Sequence, residues 1–130
     1  MESNWKLPLH RWAGGAIALA GVWHMIAPWA MNYSDDRPVV VSSRCTGAAL
    51  VVFGLWRAAV RHGPFPIVAS GLVAVWILAA PSLIGFWPRG MSVNEAMWTG
   101  FGVLGLVAIL YVDYRFAITA RSGVGRRASL

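Results

Sequence analysis

The stretch that decides the fold is residues 12–31, WAGGAIALAGVWHMIAPWAM. It contains no acidic residue, lysine or arginine, and His24 is its only ionisable side chain. A helix that crosses the hydrocarbon core of a bilayer needs roughly 20 mostly apolar residues. The stretch is therefore predicted to be a transmembrane helix.

Three further apolar stretches follow along the chain. They lie at about residues 39–60, 65–87 and 97–118. The connectors between the four stretches are short and rich in turn-forming residues, and they cover residues 32–38, 61–64 and 88–95. Short connectors join antiparallel neighbours. The sequence therefore predicts an all-α membrane protein with four transmembrane helices in a single membrane domain, residues 1–130.

The composition of the chain favours lipid over water as its surroundings. Hydrophobic residues make up 58% of the chain and charged residues 12%, about half the charged share of a soluble domain. The net charge is +6, but the basic residues flank apolar stretches instead of lining one face, which indicates membrane topology and not nucleic-acid binding. Cys45 is the single cysteine, which excludes an internal disulfide and a cysteine-based metal cluster.

Lysine and arginine are distributed unequally between the two sides of the predicted bundle. With the N-terminus inside, eight of them fall on the inner side and three, Arg37, Arg44 and Arg89, on the outer side. The positive-inside rule then predicts that the N- and C-termini both lie in the cytoplasm. Residues 119–130 are predicted to form a basic, flexible tail suited to anionic lipid headgroups.

The sequence matches itself at an offset of 53 residues. Three matches that rarely arise by chance recur in one ungapped frame, and they are Trp23 with Trp76, Pro28 with Pro81, and Thr46-Gly47 with Thr99-Gly100. The match predicts two tandem helix-pair repeats, at about residues 12–60 and 65–113. Because a two-helix unit returns to the side it started from, the repeats are expected to be parallel, with a pseudo-twofold axis along the membrane normal.

The repeated residues resemble those of a known family. The first unit has Gly21-Val-Trp23 and Ala27-Pro-Trp29, and the second has Trp76, Ala80-Pro-Ser82, Gly85-Phe86 and Trp98-Thr-Gly100. This pattern, over about residues 12–112, is similar to that of the SPW-repeat family of bacterial integral membrane proteins. Alanine replaces the serine of the Ser-Pro-Trp triplet in both units, and Ser82 replaces its tryptophan in the second. The resemblance implies a compact module of the bacterial cytoplasmic (inner) membrane, and the family has no generally assigned activity.

The two prolines each free one backbone carbonyl, because a proline lacks the N–H that would bind the residue four positions earlier. The freed carbonyls belong to His24 and Ile77, and in lipid they need other partners. Thr46 and Thr99 open the returning helices on the same side, so their hydroxyls are expected to supply those partners. One interpretation is a kink that steers the chain into the outer loop, and the other is a polar notch for a ligand.

His24 is the candidate site residue, since ionisable groups inside membrane spans are costly and tend to be functional. Its repeat counterpart is Ile77, so the repeat does not require a histidine there. Three interpretations are open. The imidazole forms a hydrogen bond to a neighbouring helix, or it ligates a tetrapyrrole (haem or bacteriochlorophyll), or it relays protons. The tetrapyrrole interpretation arises because Ala20-x3-His24 resembles the small-residue-before-histidine pattern of bacterial antenna helices. His10 and His62 are predicted near the opposite boundary, so no bis-histidine haem is expected.

The sequence carries no phosphate-binding loop, no Ser/His/Asp set at a plausible depth and no His-Glu metal motif. The first hypothesis is therefore a non-enzymatic membrane protein, a structural or accessory subunit of a larger bacterial membrane complex. Its expected partners are membrane lipid and other membrane subunits or itself, and not nucleic acid. The alternative is a tetrapyrrole-binding subunit of an electron-transfer or light-harvesting complex, with His24 as ligand. A small transporter is the third hypothesis.

Overall fold

The computed structural model describes residues 8–60, 63–83 and 90–127, and the side chains described in the last segment are those of residues 93–122. Four helices make up these segments, and they are α1 (Leu9–Ala30), α2 (Arg37–Ala59), α3 (Phe65–Leu83) and α4 (Gly90–Arg127). All four are long and apolar enough to cross a membrane, and the described segments contain no strand. The prediction of an all-helical membrane protein with four spans is confirmed.

Helix α4 differs from its prediction at both ends. It begins at Gly90, so Glu95, which was placed in the connector 88–95, lies inside the helix. It continues to Arg127, so the predicted tail of residues 119–130 is helical as far as that residue, and residues 128–130 lie outside the described part. The flexibility of the tail stays a prediction. Extending an existing helix avoids the cost of nucleation, and this outweighs the weak helix propensity of Gly123 and Gly125. The predicted end of the third span, residues 84–87, also lies outside the described part.

Helices α1 and α2 form a hairpin in which the two backbones touch. A Cβ atom on Gly14 would lie 2.6 Å from the backbone nitrogen of Ala58, and one on Gly54 would lie 2.7 Å from the carbonyl oxygen of Gly14. About two turns further along α1, a Cβ on Gly21 would lie 2.6 Å from the carbonyl oxygen of Gly47. Small residues at such contacts are what allows helices to pack closely in lipid.

Helices α3 and α4 form the second hairpin, which packs through larger side chains. Ile67, Ala74 and Val107 stand where the first hairpin has Gly14, Gly21 and Gly54. Gly100 remains, and a Cβ there would lie 2.6 Å from the side chain of Leu78. The two hairpins therefore share an architecture but not the same distance of approach.

The hairpins dock through α1 against α4 and α2 against α3. The same positions are buried in α1 and α3 at the offset of 53, and the pairs are Gly14 with Ile67, Ile17 with Ser70, Gly21 with Ala74, His24 with Ile77, Ala27 with Ala80, and Pro28 with Pro81. This pattern of burial agrees with two tandem repeats, and the pseudo-twofold axis itself stays a prediction.

Both prolines lie inside helices, and the threonine hydroxyls do not relieve the carbonyls that they free. Thr46 Oγ1 donates to the carbonyl of Ser42 at 2.7 Å, and Thr99 Oγ1 donates to Glu95 Oε1 at 2.7 Å. That prediction was wrong because a hydroxyl carries one proton, and an acceptor one turn earlier on its own helix lies within reach.

Candidate functional site

His24 and Glu95 form a buried pair across the interface of the two hairpins. The Nδ1 atom of His24, on α1, lies 2.8 Å from Oε1 and 3.1 Å from Oε2 of Glu95, on α4. Each residue is 4% exposed. With the carboxylate as acceptor, Nδ1 is the donor of this hydrogen bond. The pair therefore joins the first hairpin to the second by a polar contact in the interior.

The carboxylate of Glu95 also accepts hydrogen bonds from two hydroxyls. Thr99, one turn further along α4, donates to Oε1 at 2.7 Å. Tyr33, in the connector between α1 and α2, donates to Oε2 at 3.3 Å. A buried carboxylate that lacks partners is very costly, and hydrogen bonds to its oxygens offset that cost. Three donors from three parts of the chain thus surround one acidic side chain.

The end of α1 positions Tyr33. Asn32 has a φ of 59°, the left-handed conformation that asparagine tolerates better than most residues. The backbone N–H of Tyr33 then donates to the carbonyl of Pro28 at 2.9 Å, and that of Asn32 donates to Trp29 at 3.3 Å. This pair of bonds is the Schellman arrangement that closes a helix C-terminus, and it turns the chain so that the Tyr33 ring reaches Glu95.

The Tyr33 phenol is held in its neutral form. Burial raises the pKa of Tyr33 above its ordinary value, and the charge of the Glu95 carboxylate and the hydrogen bond to it raise the pKa further. Tyr33 therefore remains a donor to Glu95 over the whole physiological pH range.

The space beside the pair is small. A cavity of about 10 Å³ adjoins it, which is roughly the volume that one water needs. Nine residues line the cavity, and they are His24, Tyr33, Val39, Ser42, Ser43, Ile77, Ala80, Glu95 and Ala96. A tetrapyrrole does not fit in this cavity, and because Nδ1 is bonded to Glu95, only Nε2 of His24 is left as a ligand atom.

Repeat-related positions meet at this cavity. At the offset of 53, His24 corresponds to Ile77 and Ser42 corresponds to Glu95, and all four line the cavity. One half of the cavity thus carries the ionisable pair, and the equivalent positions of the other half carry Ile77 and Ser42. The site is chemically asymmetric within a repeated framework.

Comparison with known families identifies the framework. The model of the SPW repeat domain matches residues 11–114, which include the buried pair and most of all four helices. The chain belongs to the SPW repeat family. Against curated proteins and against solved structures it shows no significant match. The family that the Trp, Pro and Thr-Gly pattern predicts for this chain is therefore confirmed, and the chain is an SPW repeat protein.

Sequence reasoning identified His24 and missed Glu95, which it assigned to a connector. A signal for Glu95 was present, because its counterpart Ser42 lay inside the predicted second span, and the repeat implies the same for Glu95. Arg57 and Ser70 are two further buried polar residues, at 2% and 0% exposure, that the sequence did not reveal as interior. Within the described segments, no group of three His, Cys, Asp or Glu side chains is placed to hold a metal ion.

Proposed function

We propose that this SPW repeat protein is a non-enzymatic structural subunit, either an accessory or assembly subunit of a larger bacterial membrane complex or a small homo-oligomer. The observation that carries the proposal is the closed site at His24 and Glu95. Its polar groups bond to one another, they connect two hairpins, and the adjoining cavity of about 10 Å³ is too small for a substrate. A buried polar contact of this kind favours one docking of the hairpins over others.

The tetrapyrrole alternative is less well supported by this geometry. The bond from Nδ1 to Glu95 would still leave Nε2 as a ligand atom, but an axial histidine also needs an open face for the macrocycle, whereas His24 is 4% exposed. The transporter alternative needs a polar route through the bundle. Among the described residues, the interior from His24 towards the other end of α1 is mainly apolar and includes Ile17, Leu50 and Val103. Ser70 and Arg57 are the buried polar residues there, and a mainly apolar interior disfavours the passage of ions.

Helix α4 supports the idea of a protein partner. Within the 18-residue apolar stretch of each helix, 11% of the residues of α4 are buried, against 33–44% of those in the other three helices. On its uncovered side, Gly102 and Gly105 would meet no atom within 4 Å even with a Cβ added. Small residues with no contact inside the chain are compatible with the close approach of a helix from another subunit.

The orientation belongs to the same proposal. The support for cytoplasmic termini is the excess of lysine and arginine on that side, eight against three, under the positive-inside rule. The extension of α4 to Arg127 adds to this support, because a helix of 38 residues is about 57 Å long. That length exceeds the bilayer core of about 30 Å, so its basic end is expected to stand in the cytoplasm.

Two measurements on protein extracted from its own membrane in mild detergent test this function. The first is the visible absorbance spectrum, and we expect a colourless preparation. The second is cysteine cross-linking in a Cys45→Ser background, and we expect the variant Gly102→Cys to become cross-linked to a second protein chain. The control is Leu72→Cys on α3, which is also exposed and is expected to give much less cross-linking. A Soret or near-infrared band that disappears in His24→Leu contradicts the proposal, and so does a monomer that cross-links at neither position.

A further inference from the structure

Two exposed arginines of α2 have no carboxylate partner among the described residues. Arg37 is the first residue of α2 and Arg44 lies seven residues further on, and both are exposed. Within the described residues neither of them forms an ion pair, and the one contact of the Arg44 guanidinium is the ring of Trp29, 4.8 Å from the ring centroid. Arginines in membrane spans normally pair or reach the interface. These two therefore present positive charge to whatever lies beside α2.

The charge borders an apolar groove between α2 and α3. The groove has a volume of about 470 Å³, with Arg37 at its mouth and Val41, Cys45 and Trp76 along it. Positions 37, 41, 44 and 45 share one side of a helix of 3.6 residues per turn. Arg44 does not line the groove; it lies about 10 Å from Arg37 along the axis, at the edge where its guanidinium contacts Trp29 of α1. A cationic mouth and an apolar floor match the two parts of a phospholipid.

The second repeat does not reproduce this arrangement. At the offset of 53, the positions of Arg37, Arg44 and Cys45 are occupied by Gly90, Met97 and Trp98. Both positive charges are missing there, and a large side chain that is 75% exposed stands in place of the small cysteine. The corresponding positions of the second repeat therefore lack the two charges and the small residue that the groove has in the first.

We propose that the α2–α3 groove is a binding site for one anionic phospholipid, in the leaflet on the side of the α1–α2 connector. Arg37 and Arg44 bind the phosphate and headgroup, with Trp29 holding the Arg44 guanidinium at the interface. One acyl chain lies along Val41, Cys45 and Trp76. The groove opens to the bilayer and its floor is apolar, so a lipid fits it better than a soluble phosphate does. This site is independent of the structural role proposed above.

Native mass spectrometry of the protein released from nanodiscs tests the headgroup half of the proposal. The nanodiscs contain equal amounts of phosphatidylglycerol and phosphatidylcholine, and we expect the protein to retain one phosphatidylglycerol. The variant Arg37→Gln/Arg44→Gln is expected to retain about tenfold less, since a charge-assisted hydrogen bond contributes enough for a tenfold change in binding. Arg121→Gln, an exposed arginine at the other end of α4, is the matched control and is expected to retain as much as the unaltered chain.

The acyl half is tested by Cys45→Trp, which introduces the residue of the second repeat and fills the groove. We expect retention to fall there as well, with helical content unchanged by circular dichroism. Equal retention of the two lipids by the unaltered chain overturns the proposal. Full retention of phosphatidylglycerol by the double arginine variant overturns it as well. So does a loss in Arg121→Gln that is as large as the loss in the double arginine variant. Undiminished retention by a folded Cys45→Trp variant overturns the placement of the acyl chain. If that variant does not fold, the arginine variants decide, because their side chains are exposed.

Discussion

His24 Nδ1 lies 2.8 Å from Glu95 Oε1, although 71 residues separate the two along the chain. The bond connects α1 of the first hairpin to α4 of the second, and Tyr33 and Thr99 donate to the same carboxylate. Its position explains how a short chain with few polar interior groups specifies which face of one hairpin meets the other. Apolar surfaces alone discriminate poorly between dockings in lipid, where the hydrophobic effect does not drive helix association.

The repeat predicts that a histidine–glutamate pair also forms at the corresponding positions of the other half of the cavity, although Phe86 stands there in place of Tyr33 and supplies no hydroxyl. In a chain that carries His24→Ile and Glu95→Ser, we expect Ser42→Glu alone to destabilise the fold. Adding Ile77→His should restore about 1 kcal/mol or more of unfolding free energy, as expected for coupled residues in contact. Chemical unfolding in detergent micelles measures the restoration. Additive effects of the two substitutions would contradict a pseudo-twofold relation between the repeats.

Gly14 and Gly15 provide a matched pair for the packing of the first hairpin. Gly14→Ala places a Cβ 2.6 Å from a backbone atom of α2, whereas Gly15→Ala meets nothing within 4 Å. We expect Gly14→Ala to lower the unfolding free energy by about 1–3 kcal/mol through overpacking. Gly15→Ala should leave it unchanged or raise it by up to about 1 kcal/mol, because alanine favours helix. Thermal unfolding of the two variants in the same detergent measures both effects, and equal shifts would be inconsistent with backbone contact at Gly14.

The raised pKa of Tyr33 gives a pH dependence with a definite sign. An unfolded tyrosine ionises near pH 10, and the folded state favours the neutral phenol, so the contribution of Tyr33 is complete below about pH 10. Above that pH the unfolded state loses protons first and the contribution declines. The difference in unfolding free energy between the unaltered chain and Tyr33→Phe should therefore shrink above about pH 10, and it should be clearly smaller at about pH 11 than at about pH 9. A difference that is constant or grows over this interval would contradict the raised pKa of the buried Tyr33 phenol.

The proposed topology predicts which sites a membrane-impermeant thiol reagent reaches in intact cells. In a Cys45→Ser background, Asp35→Cys lies in the α1–α2 connector and Ser122→Cys lies on the exposed end of α4. We expect labelling at position 35 in intact cells, and at position 122 only after the membrane is opened. The reverse pattern would place the termini outside and invert the proposed orientation.

The sequence predicted the spans and the family well, because both depend on signals carried by many residues. Long apolar stretches fix the number of helices, and Trp23, Pro28 and their counterparts at an offset of 53 fix the family. Glu95 was not predicted, because an acidic residue beside a turn-rich segment normally marks a connector. Its burial depends on Tyr33 and His24, which are distant in sequence, so only the folded chain reveals that the carboxylate has three donors.

The exact ends of α4 could not be predicted from the sequence either, for a related reason. Helix ends are decided by capping and by tertiary partners, and Glu95 gains its partners only when the hairpins dock. The close approach of α1 and α2 could be anticipated from glycine and alanine content, but which glycines touch, Gly14 and Gly54 and not Gly15, follows from the crossing of the helices.

A double-mutant cycle on His24 and Glu95 tests the central claim most directly. We expect His24→Ala and Glu95→Ala, measured singly and together by chemical unfolding in micelles, to show a coupling energy of at least about 1.5 kcal/mol. A parallel cycle with Ser42→Ala in place of Glu95→Ala should show less than about 0.5 kcal/mol, because Ser42 lines the same cavity without forming the bond. Equal coupling in the two cycles, or none between His24 and Glu95, would contradict the claim that this pair holds the two hairpins together.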